Sequence, residues 1–189
     1  MTAAENTSQG SPFWRFSLGF YRRAGVADAC IALQEEAGVD VNLLLFLLWH
    51  ATSKRQLSAA EVSALEEKVA PWRNAAVIPM RTVRRALKSP DLINETALVP
   101  AATAELFRTR IKAVELEAER LQQEAMHALA RASSLGREVG STQAAARANV
   151  EAYAALLSAP LPQRAVETLL AALTAAGEQT SRAGLAKLI

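Results

Sequence analysis

The chain is short of the residues that most often carry chemistry or break helices. Its one cysteine, Cys30, allows no internal disulfide and no thiolate zinc site from this chain alone, which fits a reducing compartment. Its two histidines, His50 and His127, give a serine or cysteine nucleophile few bases to work with. With only 8 glycines and many alanines, helix is expected throughout. An excess of one charge is missing too. The 21 Lys and Arg against 19 Asp and Glu leave a formal net charge of +2, too mild to imply nucleic acid by itself. No apolar run approaches the roughly 20 residues of a membrane-spanning helix. There is no G-x-G-x-x-G, no P-loop, no G-x-S-x-G and no Asp-rich pair for Mg²⁺-diphosphate chemistry. No catalytic residue, metal ligand or cofactor is therefore assigned, and an enzyme is unsupported.

What the chain does have is the stretch Leu43–Trp49, seven residues without a polar group. A helix apolar on every side is buried on every side. Leu favours helix over strand, and β-branched residues are scarce here. Asp40 reads as its N-cap, and Gly38 as the residue that ends the helix before it. The region 41–51 is thus expected to be the central helix of an all-α protein.

Around it, Ser11-Pro12 is a helix start, with a cap followed by proline at the first helical position. Phe13, Phe16 and Phe20 then share a face, with Trp14, Leu18 and Tyr21 beside it. This is a core wall or, alternatively, a ligand-stacking surface. After Gly25, Val26, Ala29, Cys30 and Leu33 form an apolar stripe, in which Cys30 is expected to be buried and inert. Beyond the central helix, Ser58 and Glu61 make a capping box ahead of Val62, Leu65 and Val69. Pro71 is expected to end or restart that helix, and Pro79 to kink the next. His50 stands at the end of the central helix, where a cation is favoured.

Two patterns are candidate contact surfaces. Arg81, Arg84, Arg85 and Lys88 recur at i, i+3, i+4 and i+7, while Met80, Val83 and Leu87 form the stripe expected to bury. The basic stripe reads either as a solvated face paired with Glu61, Glu66 or Glu67, or as a dock for an acidic partner or phosphates. The second pattern lies in one long helix from about Pro100 to Leu135. Phe107, Ile111, Val114, Ala118, Leu121, Ala125, Ala128 and Ala132 alternate at spacings of 4 and 3, as in a coiled-coil seam. Glu115, Glu117, Glu119, Gln122, Gln123 and Glu124 are expected to keep the rest of that helix wet. A seam does not name its partner. A return helix at 142–158, within the same chain, and a second protein fit equally well. Glu124 and His127 form one E-x-x-H unit, but a carboxylate di-iron bundle needs two, plus two more glutamates.

Composition shifts at Lys88–Pro100: all three Trp, and every Phe except Phe107, precede it. The expected organisation is a disordered arm at 1–11, an aromatic-rich helical bundle at 12–89 and a linker at 90–100. A long amphipathic helix with return helices, forming a helical hairpin, then fills 101–176, and a weakly ordered tail 177–189. The opening Met1–Ser11 lacks a charged-then-apolar signal pattern, so secretion is not expected.

The stretches Phe13-Trp14-Arg15-Phe16-Ser17-Leu18, Gly25–Cys30 and Asp40–Phe46, followed by Trp72, Pro79-Met80-Arg81, Arg84-Arg85 and Glu115–Glu119, resemble an uncharacterised bacterial family, domain of unknown function 2390. The likeness runs from about Phe13 to Leu129. It implies a cytoplasmic helical protein and no agreed activity, so no catalytic residues carry over.

The leading expectation is a non-enzymatic, cytoplasmic protein–protein interaction module, self-associating or adaptor-like. Its contacts would be the seam residues Phe107, Ile111, Val114, Ala118 and Leu121 and the stripe Arg81, Arg84, Arg85 and Lys88. Phosphate or nucleic-acid binding by that stripe is the second reading. A small-molecule enzyme with a pocket near Trp14, Asn42, Trp49 and His50 is the third.

Overall fold

Local signals in the chain set most of the helix boundaries. The Ser11 hydroxyl accepts from the Trp14 N–H and opens α1 (Pro12–Tyr21). Gly38, in the left-handed region at φ +69°, closes α2 (Val26–Ala37). The Asp40 carboxylate then accepts from the Asn42 and Leu43 N–H groups at the start of α3 (Val41–Thr52). The Ser58–Glu61 capping box opens α4 (Ala59–Trp72), and Ser141 opens α7 (Thr142–Ala154). α5 (Ile78–Ala86), the 32-residue α6 (Ala101–Ala132) and α8 (Gln163–Leu185) complete an all-α fold. This computed structural model describes residues 10–89 and 98–185, with side chains to residue 175. The expected arm and linker fall mostly outside those residues; most of the expected tail does not, since α8 continues to Leu185.

The segment Leu43–Leu48 is buried throughout, as its lack of a polar side requires. α1, α2, α4, α6, α7 and α8 all pack against α3. One hydrophobic cluster joins Phe13 and Phe20, the α3 leucines, Val62, Met126, Tyr153 and Leu169, so both sides of the 90–100 stretch share a core. Phe13 meets Phe46 edge to face at 5.3 Å.

Four features differ from the sequence reading. First, Pro71 neither ends nor restarts a helix; α4 runs through it. A single π-helical turn, Arg73–Val77, joins α4 to α5, with the Ile78 N–H reaching the Arg73 carbonyl just before Pro79. Widening the helix there accommodates a residue that has no N–H to donate. Second, α7 packs across α3 and α4 rather than back along α6. Its face of Ala145, Ala146, Asn149, Val150 and Tyr153 matches the apolar α3 surface. Third, β1 (Arg55–Gln56) and β2 (Arg137–Glu138) form a small antiparallel ladder. Gly136 makes it possible, at φ +70°, since a Cβ there would stand 2.8 Å from the Gln56 carbonyl oxygen. Beside the ladder, buried Asn149 donates to the Leu47 and Arg55 carbonyls and accepts from the Leu57 N–H. Fourth, His50 is not a helix-end cation. Burial, followed by the nearby Arg55, pushes its pKa down to about 4, and its ring packs on Phe46 and Trp49.

Candidate functional site

α5 and α6 meet through charged side chains. Arg81 donates to Glu115 at 3.1 Å and to Glu119 at 2.8 Å. Arg84 grips both oxygens of the same Glu115. Arg85 reaches across to Glu35 of α2 at 2.8 Å, and Lys88 follows at the end of the stripe. The partners are therefore Glu35, Glu115 and Glu119. Glu61 instead caps α4 and accepts from the Gly136 N–H, while Glu66 pairs with Arg73. Burial alone would raise the Glu115 carboxyl, but its arginine hydrogen bonds outweigh that and hold it below the usual carboxylate range. At Glu119 burial prevails over the attraction of Arg81, and the pKa is raised.

α5 has no buried residue: Met80 and Leu87 of the expected apolar stripe are half-buried, as are Arg81 and Arg84, while Val83, Arg85 and Lys88 lie open. α6 is the helix whose sides are exchanged. Glu115, Gln122 and Gln123, expected to be wet, are buried. Of the seam, Ala118 is buried and Ile111 half-buried, while Phe107, Val114 and Leu121 are 49%, 51% and 44% exposed. The Trp72 indole N–H donates to the Ala118 carbonyl beside this strip.

The buried polar face of α6 belongs to a relay that begins at Asp40. While one Asp40 oxygen caps α3, the other accepts from Gln122 Nε2 at 2.7 Å and from Arg73 at 3.2 Å. A carboxylate only accepts, so Gln122 must present its amino group there, which leaves its Oε1 to accept from Asn42 Nδ2 at 3.4 Å. Asn42 Oδ1 in turn accepts from Gln123 Nε2 at 2.7 Å. The orientation of every amide follows from the first, and Gln123 Oε1 is left at the end, buried and without a hydrogen-bond partner.

Gln123 lines a groove of about 700 Å³. Trp14, Leu18 and Tyr21 of α1 and Ile31 of α2 form one wall, α3 contributes Asn42, and α5 and α6 form the other wall. Ser17 also lines it, with a buried hydroxyl that has no partner. Burial, then the neighbouring Cys30, raises the Tyr21 phenol pKa, and burial pushes the Cys30 thiol up to about 12, so both stay protonated. A separate hollow of about 370 Å³ holds Trp49 and His50. The four residues expected around one pocket are thus split between two. Glu124 and His127 have structural neighbours: Glu124 accepts from the Ser11 N–H at 2.7 Å, and the His127 ring lies 5.6 Å from Trp49. Among the described residues, no cluster of three or more His, Cys, Asp or Glu could hold a metal, and no helix is long and apolar enough to cross a membrane.

The relay and the exposed strip were not legible beforehand. The one available signal was the pair Gln122-Gln123 beside a long seam, which reads as surface unless its partners are known.

An all-helical domain built around a buried apolar helix, with a groove of mixed apolar and charged lining on one flank, is the class that these features define. Residues 12–126 match the family model described as Protein of unknown function (DUF2390), and the chain belongs to that family. The groove residues, from Trp14 to Gln123, all fall within that span, whereas α7 and α8 lie beyond it. No curated protein and no solved structure gives a match.

Proposed function

We propose that this protein is a non-enzymatic interaction module that self-associates through the outer strip of α6. The observation that carries this reading is the exposure of Phe107, Val114 and Leu121 at seven-residue intervals on one helix. Large apolar side chains aligned in this way suit a partner helix. A second copy is the favoured partner on charge. In the antiparallel register that sets Ile111 against Val114 of the second copy, Arg110 meets Glu117 of the second copy on the flank, in addition to the Arg120 that Glu117 pairs with on its own helix. Phosphate or nucleic-acid binding through the basic stripe is less favoured, because Arg81 and Arg84 already carry carboxylate partners.

The test is solution mass by light scattering across a concentration series. The wild-type chain should shift from monomer to dimer, and Val114→Asp/Leu121→Asp should remain monomeric while keeping its helical circular dichroism. A wild-type chain that stays monomeric at all concentrations contradicts the proposal.

A further inference from the structure

We infer that the groove between α1–α2 and α5–α6 binds a small anion with an apolar, ring-sized body and one N–H or O–H donor. The volume, about 700 Å³, is that of a small-molecule site rather than a packing defect. Gln123 and Ser17 both line the groove, are each 3% exposed, and each carries a buried polar atom without a hydrogen-bond partner. Buried polar atoms are ordinarily satisfied, so an orphan pair in one cavity marks where a ligand completes the bonding.

The relay from the Asp40 carboxylate fixes the Gln123 atom as an acceptor, so the ligand must donate to it. Ser17 can supply or receive a second bond. Trp14, Leu18, Tyr21 and Ile31 offer apolar and aromatic surface for the body. The charge of the lining selects an anion. Its three carboxylates, Glu35, Glu115 and Glu119, are each bonded to an arginine. Three further cations, Arg22, Lys88 and Lys112, line the groove with no ion pair among the described residues.

The probe is indole-3-acetate, which combines a ring, an N–H and a carboxylate. Its 1-methyl derivative keeps the ring and the charge but loses the donor. Titrated into the full chain and followed by calorimetry and amide NMR, indole-3-acetate should bind one to one. The methylated probe should bind about tenfold more weakly, because it leaves the buried acceptor unpaired. The shifted amides should cluster at residues 14, 17, 42 and 123. Gln123→Met should reduce the preference to less than about twofold, the loss expected with the acceptor removed. The pair of probes on the wild-type chain decides the matter even if that variant fails to fold. Absence of saturable binding at millimolar probe, equal binding of the two probes, or shifts confined to the outer strip of α6 would overturn the inference.

Discussion

α3 and α6 sit in the same domain but are held by different forces. α3 buries leucine on every side against six other helices, and its contribution scales with apolar area removed from water. α6 faces the bundle with Ala104, Ala118 and Met126 but equally with Glu115, Gln122 and Gln123, which are secured by hydrogen bonds and ion pairs to Asp40, α3 and α5. An apolar core tolerates no partner but itself. A polar interface held by directional bonds leaves the apolar side of α6 free and a groove between its two walls. The difference locates the apolar core around α3 and both proposed binding surfaces around α5 and α6.

The largest expected effect is at the centre of the first region. Phe46→Ala, in contact with Phe13 and Trp49, should cost about 4 kcal/mol in denaturant unfolding. If the loss is below about 1 kcal/mol, the packing around α3 is looser than described.

A pH titration of stability comes next. His50 has a folded pKa of about 4 against 6.5 for the free side chain, so the unfolded chain takes up the proton first. The contribution is therefore complete above pH 6.5 and lost as pH falls towards 4, about 3 kcal/mol in all. His50→Phe should flatten the stability curve over that window, leaving only the acid losses of the carboxylates below it. An unchanged curve would place a charged imidazole there.

In the second region the effects are smaller and of another kind. Glu115→Ala strips Arg84 of its partner and leaves Arg81 with Glu119 alone, and should cost about 2 kcal/mol. Hydrogen exchange should quicken in α5 before it quickens in α3. Val83→Ala, on the open side of α5, should cost less than about 0.5 kcal/mol by the same unfolding assay. A larger loss there would mean that α5 is packed by its apolar stripe after all.

The contrast also explains which parts of the structure could be read from the chain. α3, the Ser11, Asp40 and Ser58 caps and the Gly38 stop were legible because each depends on residues within a few positions. The aromatic face of α1 was legible as a wall of the core. The sidedness of α5 and α6 was not. Periodicity assumes that apolar residues turn inward. On α5 they share the half-buried positions with Arg81 and Arg84, and on α6 the assumption loses to polar partners distant in sequence, such as Arg84 with Glu115. The π turn before Pro79, the β1–β2 ladder and the Asn149 clip also depend on contacts remote in sequence. The groove could not be foreseen for the same reason, since its key acceptor is defined by a relay that runs from residue 40 to residue 123.

Thermal unfolding of Val114→Asp/Leu121→Asp at a concentration where the chain is monomeric tests the orientation of α6 most directly. With that strip facing water, the midpoint should stay within about 3 °C of the wild type, because exposed substitutions alter stability by only a few tenths of a kcal/mol each. A collapse of the cooperative transition would show that the strip is buried in the fold, contradicting the inward polar face and the groove beside it.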